Sequence, residues 1–227
     1  MKISVVIPAL NEATRIEATL ASVAAQPGPL EIIVADGGSV DGTRRLATRR
    51  ATVIRAPRGR ARQMNAGARL ASGEVLLFLH ADTLLPESAF KHIRRALLQP
   101  SVEAGTFRLA FDAEHPLLRF YAFCTRFPLP ALGFGDRGLF VRRQVFEAVG
   151  GFADIPMFED LDLVRRLHRR GTFRFLPLAV TTAARRFEAR GLLRQQMLNA
   201  YLWVRYHLGT PPDALVHLYP YADEVRR

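Results

Sequence analysis

Short β-rich runs alternate with helical patterns through the first third of the chain, and that alternation limits the folds open to it more than any other feature. Lys2 to Ile7 is a β-rich run closed by Pro8. Asn11-Glu12 then opens a helical pattern through Ile16, Leu20 and Val23 to the break at Pro27-Gly28-Pro29. Leu30 to Ala35 reads as a second apolar strand ending at Asp36-Gly37-Gly38-Ser39, after which Asp41 caps a helix running through Leu46. Thr52 to Ala56 as a strand, Arg60 to Ala71 as a helix and Glu74 to Leu79 as a strand repeat the unit. The expected fold class is therefore α/β, a mainly parallel central sheet flanked by helices.

Past Pro86 the spacing predicts a helix to Leu98, a β segment over Val102 to Phe111, an apolar and aromatic stretch over Leu117 to Phe127, and a strand over Leu139 to Arg142. Glu159 to Arg169 has the pattern of an amphipathic helix, and Leu192 to Leu208 that of a longer one stopped by Gly209 and Pro211-Pro212. With 227 residues, 49% of them hydrophobic, the chain has material for one large core, and no repeat or linker divides it. The expected organisation is a main domain over 1–186 with a C-terminal helical appendage over 187–227. A lone cysteine, Cys124, requires no oxidising compartment, which favours the cytoplasm. No apolar run approaches the roughly 20 residues that span a bilayer.

Lys and Arg outnumber Asp and Glu by 32 to 21, and apart from Lys2 and Lys91 every cation is an arginine. Planar guanidinium forks suit phosphates, so a nucleotide diphosphate, an anionic membrane face or a nucleic acid are the partners that the charge admits. In an open α/β sheet ligands collect at the carboxyl ends of strands. Three polar clusters fall there: Pro8 to Glu12, Asp36 to Ser39, and His80 to Asp82. No G-x-G-x-x-G follows the first strand, which disfavours a dinucleotide site.

These residues resemble glycosyltransferase family 2, whose fold is of the GT-A type. The resemblance rests on Ser4 to Glu12 (SVVIPALNE), Ile32 to Thr43 (IIVADGGSVDGT), Gly59 to Gly67 (GRARQMNAG), the LHADT stretch Leu79 to Thr83, Gly150-Gly151-Phe152, and Phe158 to Leu163 (FEDLDL). It is nearest to a bacterial subgroup associated with radical SAM or selenium-related genes that also carries LHADT. The resemblance implies transfer of a sugar, with inversion, from a nucleotide diphosphate sugar, by default a UDP-sugar, to an acceptor of unknown identity that a lipid could carry.

In that family Asp36 stands at the position of a base- or ribose-binding aspartate, and Pro8, Ala9, Glu12, Gly37, Arg60, Arg62, Asn65, Ala81 and Asp82 fall on donor-side motifs. Asp160 matches the general base, Glu159 is its neighbour on the acceptor side, and Gly135-Asp136-Arg137-Gly138 resembles an acceptor loop in which Gly135 and Asp136 are the candidate contacts. Arg185 and Arg186 are candidate phosphate contacts. A divalent cation, Mn²⁺ or Mg²⁺, is implied, but His80-x-Asp82 replaces the usual Asp-x-Asp, so Asp82 is the expected ligand, and His80 is a ligand, a contact through water or a packing residue at the strand end. Two other readings stay open: a non-catalytic nucleotide-sugar binder, and a basic nucleic-acid-binding protein supported by charge alone, without a zinc signature or basic tail. The C-terminal stripe Leu192, Leu193, Met197, Tyr201, Leu202 and Trp203, with Arg190, Arg194 and Arg205, either docks peripherally on an anionic membrane or packs on the main domain or a second subunit.

Overall fold

The computed structural model describes residues 1–127, 137–185 and 191–219. Its elements run β1 (Ile3–Ala9), α1 (Ile16–Ala24), β2 (Leu30–Asp36), α2 (Thr43–Ala47), β3 (Thr52–Arg55), α3 (Arg60–Leu70), β4 (Val75–Phe78), β5 (Thr83–Leu84), α4 (Ala89–Leu97) and β6 (Val102–Phe111). They continue with α5 (Pro116–Cys124), β7 (Leu139–Arg142), α6 (Arg143–Ala148), α7 (Glu159–Arg170), β8 (Thr172–Thr182), α8 (Leu192–His207) and α9 (Pro212–Val216).

One sheet of order β3-β2-β1-β4-β7-β6-β8-β5 crosses the molecule. β1 pairs in parallel with β2 and β4, and β2 with β3; β7 is antiparallel to both β4 and β6, and β8 is parallel to β6. It follows that β1, β2, β3, β4, β6 and β8 share one direction, with β7 and β5 opposed. The sheet is thus mixed, and its parallel majority carries the loops after β1, β2, β4 and β8 to one edge.

Both faces are buried, as a sheet covered by crossover helices requires. Side chains alternate: Ile3, Val5 and Ile7 pack with Ile16, Leu20, Phe90 and Ile93 of α1 and α4 on one face. Val6, Leu76 and Phe78 pack with Met64, Phe146 and Leu163 of α3, α6 and α7 on the other. The α3 helix lies so close to β1 that a Cβ on Gly67 would sit 2.4 Å from Val6, so only glycine fits there. α8 and α9 close the end of the molecule above the start of α7, where Leu202, Leu215 and Val216 pack on Met157, Phe158 and Leu161.

The first helix begins later than its sequence pattern indicates. Asn11 adopts a left-handed φ of 54° and the backbone of Glu12 and Ala13 is committed to the neighbouring loop, so regular helix starts only at Ile16. The helix after Pro86 likewise starts at Ala89.

Candidate active site

The loops that follow β1 and β2 are sewn into one platform by side chains of both. Asn11 Oδ1 accepts the Val40 N–H at 3.0 Å and its own N–H donates to Ser39 Oγ at 2.9 Å. The Glu12 N–H donates to Thr43 Oγ1 and the Ala13 N–H to Asp41 Oδ2. Asp36 is fully buried at the end of β2; its carboxylate accepts the Gly38 and Ser39 N–H groups at 3.1 Å, and Arg44 Nε lies 3.8 Å away. Burial of an aspartate at a strand end is tolerable because backbone donors and a cation meet it.

Beneath this platform sits a residue that the sequence did not single out. Gln63, 3% exposed, donates from Nε2 to the carbonyls of Ala9 at 2.8 Å and Ala35 at 2.7 Å, tying the ends of β1 and β2 together. Gly37 makes room for it, since a Cβ there would come within 3.1 Å of the Gln63 amide. Gln63→Met keeps the volume and removes both bonds, so it should cost about 2 kcal/mol and lower the melting temperature by roughly 5 °C. An unchanged urea midpoint would show that the clamp carries no stability.

A second cluster joins three loops distant in sequence. Glu12, after β1, accepts a hydrogen bond from Arg185 Nη2, after β8, and the same nitrogen lies 3.3 Å from Asp82 Oδ2, after β4. Glu12 and Asp82 are largely buried, whereas the Arg185 side chain is 38% exposed. Ala81 is fixed by its carbonyl, which accepts from Thr19 Oγ1, and His80 is in the turn whose carbonyl accepts the Thr83 N–H. Among the described residues no set of three or more His, Cys, Asp or Glu gathers closely enough to hold a metal ion by itself.

The third cluster lies at the start of α7. Glu159, 2% exposed, receives Arg60 as a fork, Nε to Oε1 at 2.7 Å and Nη2 to Oε2 at 3.4 Å. Burial pushes the Glu159 carboxyl up, to about 7; Asp160 adds to the rise and Arg60 opposes it. Asp160, only partly buried, accepts the Leu161 N–H at 2.7 Å. Both acids, with Asp162, occupy the first turn of α7, where the helix dipole favours negative charge.

Phe158 precedes them with a φ of 65°, a conformation costly for a bulky residue, and its ring stacks on Tyr206 of α8 at 4.6 Å. The Arg165 guanidinium lies over the same Tyr206 ring at 5.4 Å, so α8 packs on α7 beside its acidic first turn, and burial raises the Tyr206 pKa. Asn65 bonds to both the carbonyl and the N–H of Phe152, at 2.8 and 3.0 Å, locking the Gly150-Gly151 turn ahead of α7.

The expected residues therefore divide. Pro8, Ala9, Glu12, Asp36, Gly37, His80, Ala81, Asp82 and Arg185 lie at the shared strand edge, with Arg60, Glu159 and Asp160 at the facing ends of α3 and α7. Arg62 pairs at the surface with Asp154 at 2.8 Å, and the Asn65 amide is turned to Phe152. Gly135, Asp136 and Arg186 lie outside the described residues. Arg137, 1% exposed, bonds to the carbonyls of Phe107 and Thr125; the sequence motif includes it, but nothing local marks it as a buried cation.

A mixed α/β sheet whose acidic and arginine side chains meet at the carboxyl edge fits the family that the sequence motifs resemble, and the family model for "Glycosyl transferase family 2" matches residues 4–153. The chain belongs to glycosyl transferase family 2. It is 26% identical over 214 residues to the probable glycosyltransferase YdaM of Bacillus subtilis, covering 79% of this chain and 50% of that one. It is also 50% identical over 50 residues to the succinoglycan biosynthesis protein ExoA of Rhizobium meliloti, covering 21% of this chain and 15% of that one. The chain thus spans half the length, or less, of these curated relatives.

Among solved structures, the mannosyltransferase PcManGT from Pyrobaculum calidifontis, in complex with GDP-Man and Mn²⁺, superposes with a TM-score of 0.69 at 21% identity, covering 97% of this chain and 69% of that one. S. aureus TarS in complex with UDP-GlcNAc gives 0.65 at 16% identity, covering 81% and 58%. At these identities the likeness establishes the GT-A-like fold.

Proposed function

We propose that the chain transfers a sugar from a nucleotide diphosphate sugar to an acceptor hydroxyl, with inversion, and that it belongs to the LHADT-bearing bacterial subgroup. The observation that carries this reading is the meeting of Glu12, Asp82 and Arg185 at one strand edge, alongside the Arg60–Glu159–Asp160 cluster. The nucleoside lies on the β1–β2 platform against Asp36 and Gly37, and UDP is the default because the family resemblance favours it. Arg185 and Arg60 are the cations offered to the diphosphate, Arg62 being engaged at the surface by Asp154. Arg185 is the better placed of the two, already spanning the two donor-side carboxylates.

His80-x-Asp82 fits a divalent cation that shares the oxygens of the diphosphate, and does not fit a resident cage made of protein ligands alone. Asp82 would hold the ion, with His80 beside it, and an ion bound there supplies positive charge to the departing diphosphate. Asp160 takes the acceptor proton as the hydroxyl attacks the anomeric carbon, and Glu159 keeps Arg60 fixed next to it. Asp136 is the acceptor contact that the family resemblance implies. No helix among the described residues is long and apolar enough to cross a membrane.

Thermal unfolding with UDP or GDP, with and without Mn²⁺, tests the reading. A ligand at 100 times its Kd stabilises by about 2.7 kcal/mol, and Mn²⁺-dependent stabilisation by one nucleotide is expected. Asp82→Asn should weaken that effect more than His80→Ala, because the carboxylate supplies both an oxygen ligand and charge. An equal or larger loss at His80 would reverse the ranking. Indifference to both nucleotides, together with salt-sensitive DNA or RNA binding, would replace the reading with the nucleic-acid one.

A further inference from the structure

Helix α5 carries apolar side chains on two opposite sides. Leu118 is buried and Tyr121 packs on Phe111 at 5.8 Å between ring centroids, which attaches the helix to the sheet. On the opposite side Phe120 is 66% exposed and Phe123 48%, and Phe127, in the turn that follows, is 50% exposed and meets the Phe123 ring edge-on at 5.6 Å. Three aromatic rings at about half exposure or more, grouped on one side, are costly to keep in water and mark a contact surface.

The border of this patch is cationic. A groove of about 570 Å³ runs between α5 and strands β6 and β8, and among the described residues its charged lining consists of Arg108, Arg119 and Arg126. The Arg126 guanidinium lies over the Phe123 ring at 5.4 Å, so cation and aromatic share one surface. Exposed phenylalanines edged by arginines, on a chain with a net charge of +11, complement a surface that is apolar below and negative above.

We propose that α5 and the turn after it dock on an anionic phospholipid bilayer. Phe120, Phe123 and Phe127 enter the boundary between headgroups and acyl chains, while Arg108, Arg119 and Arg126 meet lipid phosphates. This surface is distinct from the C-terminal stripe that the sequence put forward. Leu202 and Trp203 of that stripe pack against the start of α7, which leaves Leu193, Met197 and Tyr201 exposed, with the Arg205 guanidinium over the Tyr201 ring at 5.8 Å. Docking through α5 stands independently of sugar transfer.

Co-sedimentation of the full chain with vesicles of phosphatidylglycerol and phosphatidylcholine, compared with phosphatidylcholine alone, tests the proposal. Binding is expected on the anionic vesicles only, and it should fade as salt is raised. A Phe120→Ser, Phe123→Ser variant should bind roughly tenfold more weakly, and an Arg119→Gln, Arg126→Gln variant roughly thirtyfold. Leu193→Ser, Met197→Ser in α8 should bind like the parent chain. The thermal transition of each variant shows that it is folded. Equal binding to neutral vesicles, or loss of binding with the α8 pair and not with the α5 pairs, would overturn the proposal. So would vesicle binding by neither form together with a dimer that the Phe120→Ser, Phe123→Ser change dissociates.

Discussion

Asp160→Asn is expected to reduce sugar transfer by a factor of about 10² to 10⁴ while leaving donor affinity nearly unchanged. The amide matches the carboxylate in size, and its oxygen can still accept the Leu161 N–H that now meets Oδ1 at 2.7 Å, so the first turn of α7 keeps its shape. What it lacks is the basicity to take the acceptor proton. The Arg185 cluster on the other side of the site is untouched, and calorimetric titration with the nucleotide should look like that of the parent chain. Turnover close to the parent value would remove Asp160 from the role of base.

Arg60→Met is expected to be the most destabilising change at the site, and its cost should depend on pH. Removing one partner of a fully buried ion pair costs about 3 to 5 kcal/mol; Arg60 is 38% exposed and partly screened by water, so here the loss should be about 2 to 3 kcal/mol, carried by the Glu159 carboxylate that stays buried without compensation. Glu159 can escape part of that cost by holding a proton, since burial has already raised its pKa from 4.5 to about 7. A carboxyl whose folded pKa exceeds its unfolded value contributes stability that is complete below 4.5 and lost as pH rises through about 7. Losing Arg60 widens that window. The variant should therefore be close to the parent chain at pH 5.5 and weakest at pH 8, in urea melts read at both values. The parent should itself soften between pH 5.5 and 8, and Glu159→Gln should remove that slope. A cost for Arg60→Met that does not change with pH would show that Glu159 stays charged throughout.

The parts of the fold that are legible in sequence are those governed by local periodicity. β1, β2 and β4 are short apolar runs, buried on both faces, each closed by residues that turns demand, and the structure has them within a residue or two of those limits. β8 is harder to see, because Pro177 breaks its pattern and the pairing with β6 slips there, Thr106 facing Phe175 while Arg108 faces Ala179. The register depends on a bulge that no local pattern announces.

Legibility of the site follows the same division. Asp36, Asp82 and Asp160 stand at element ends, where a polar residue after an apolar run attracts notice. Gln63 and Arg137 are buried polar residues whose partners are backbone carbonyls elsewhere in the fold, so their roles exist only once the chain is packed. The link from Glu12 to Arg185 spans nearly the whole domain, and only the sheet order brings them together. The placement of α8 is tertiary too: its pattern allowed a lipid face or a protein face, and Phe158 stacking on Tyr206 commits one side of it to protein.

The most direct test of sugar transfer is nucleotide release from a panel of UDP- and GDP-sugars in the presence of Mn²⁺, with water as the acceptor, by the parent chain and by Asp160→Asn. The proposed function predicts slow release of nucleoside diphosphate from one donor class by the parent chain and little or none by the variant. Release at the same rate from both, or tight nucleotide binding by the parent chain with release from no donor, would contradict it, and the second outcome would leave a nucleotide-sugar binder in its place.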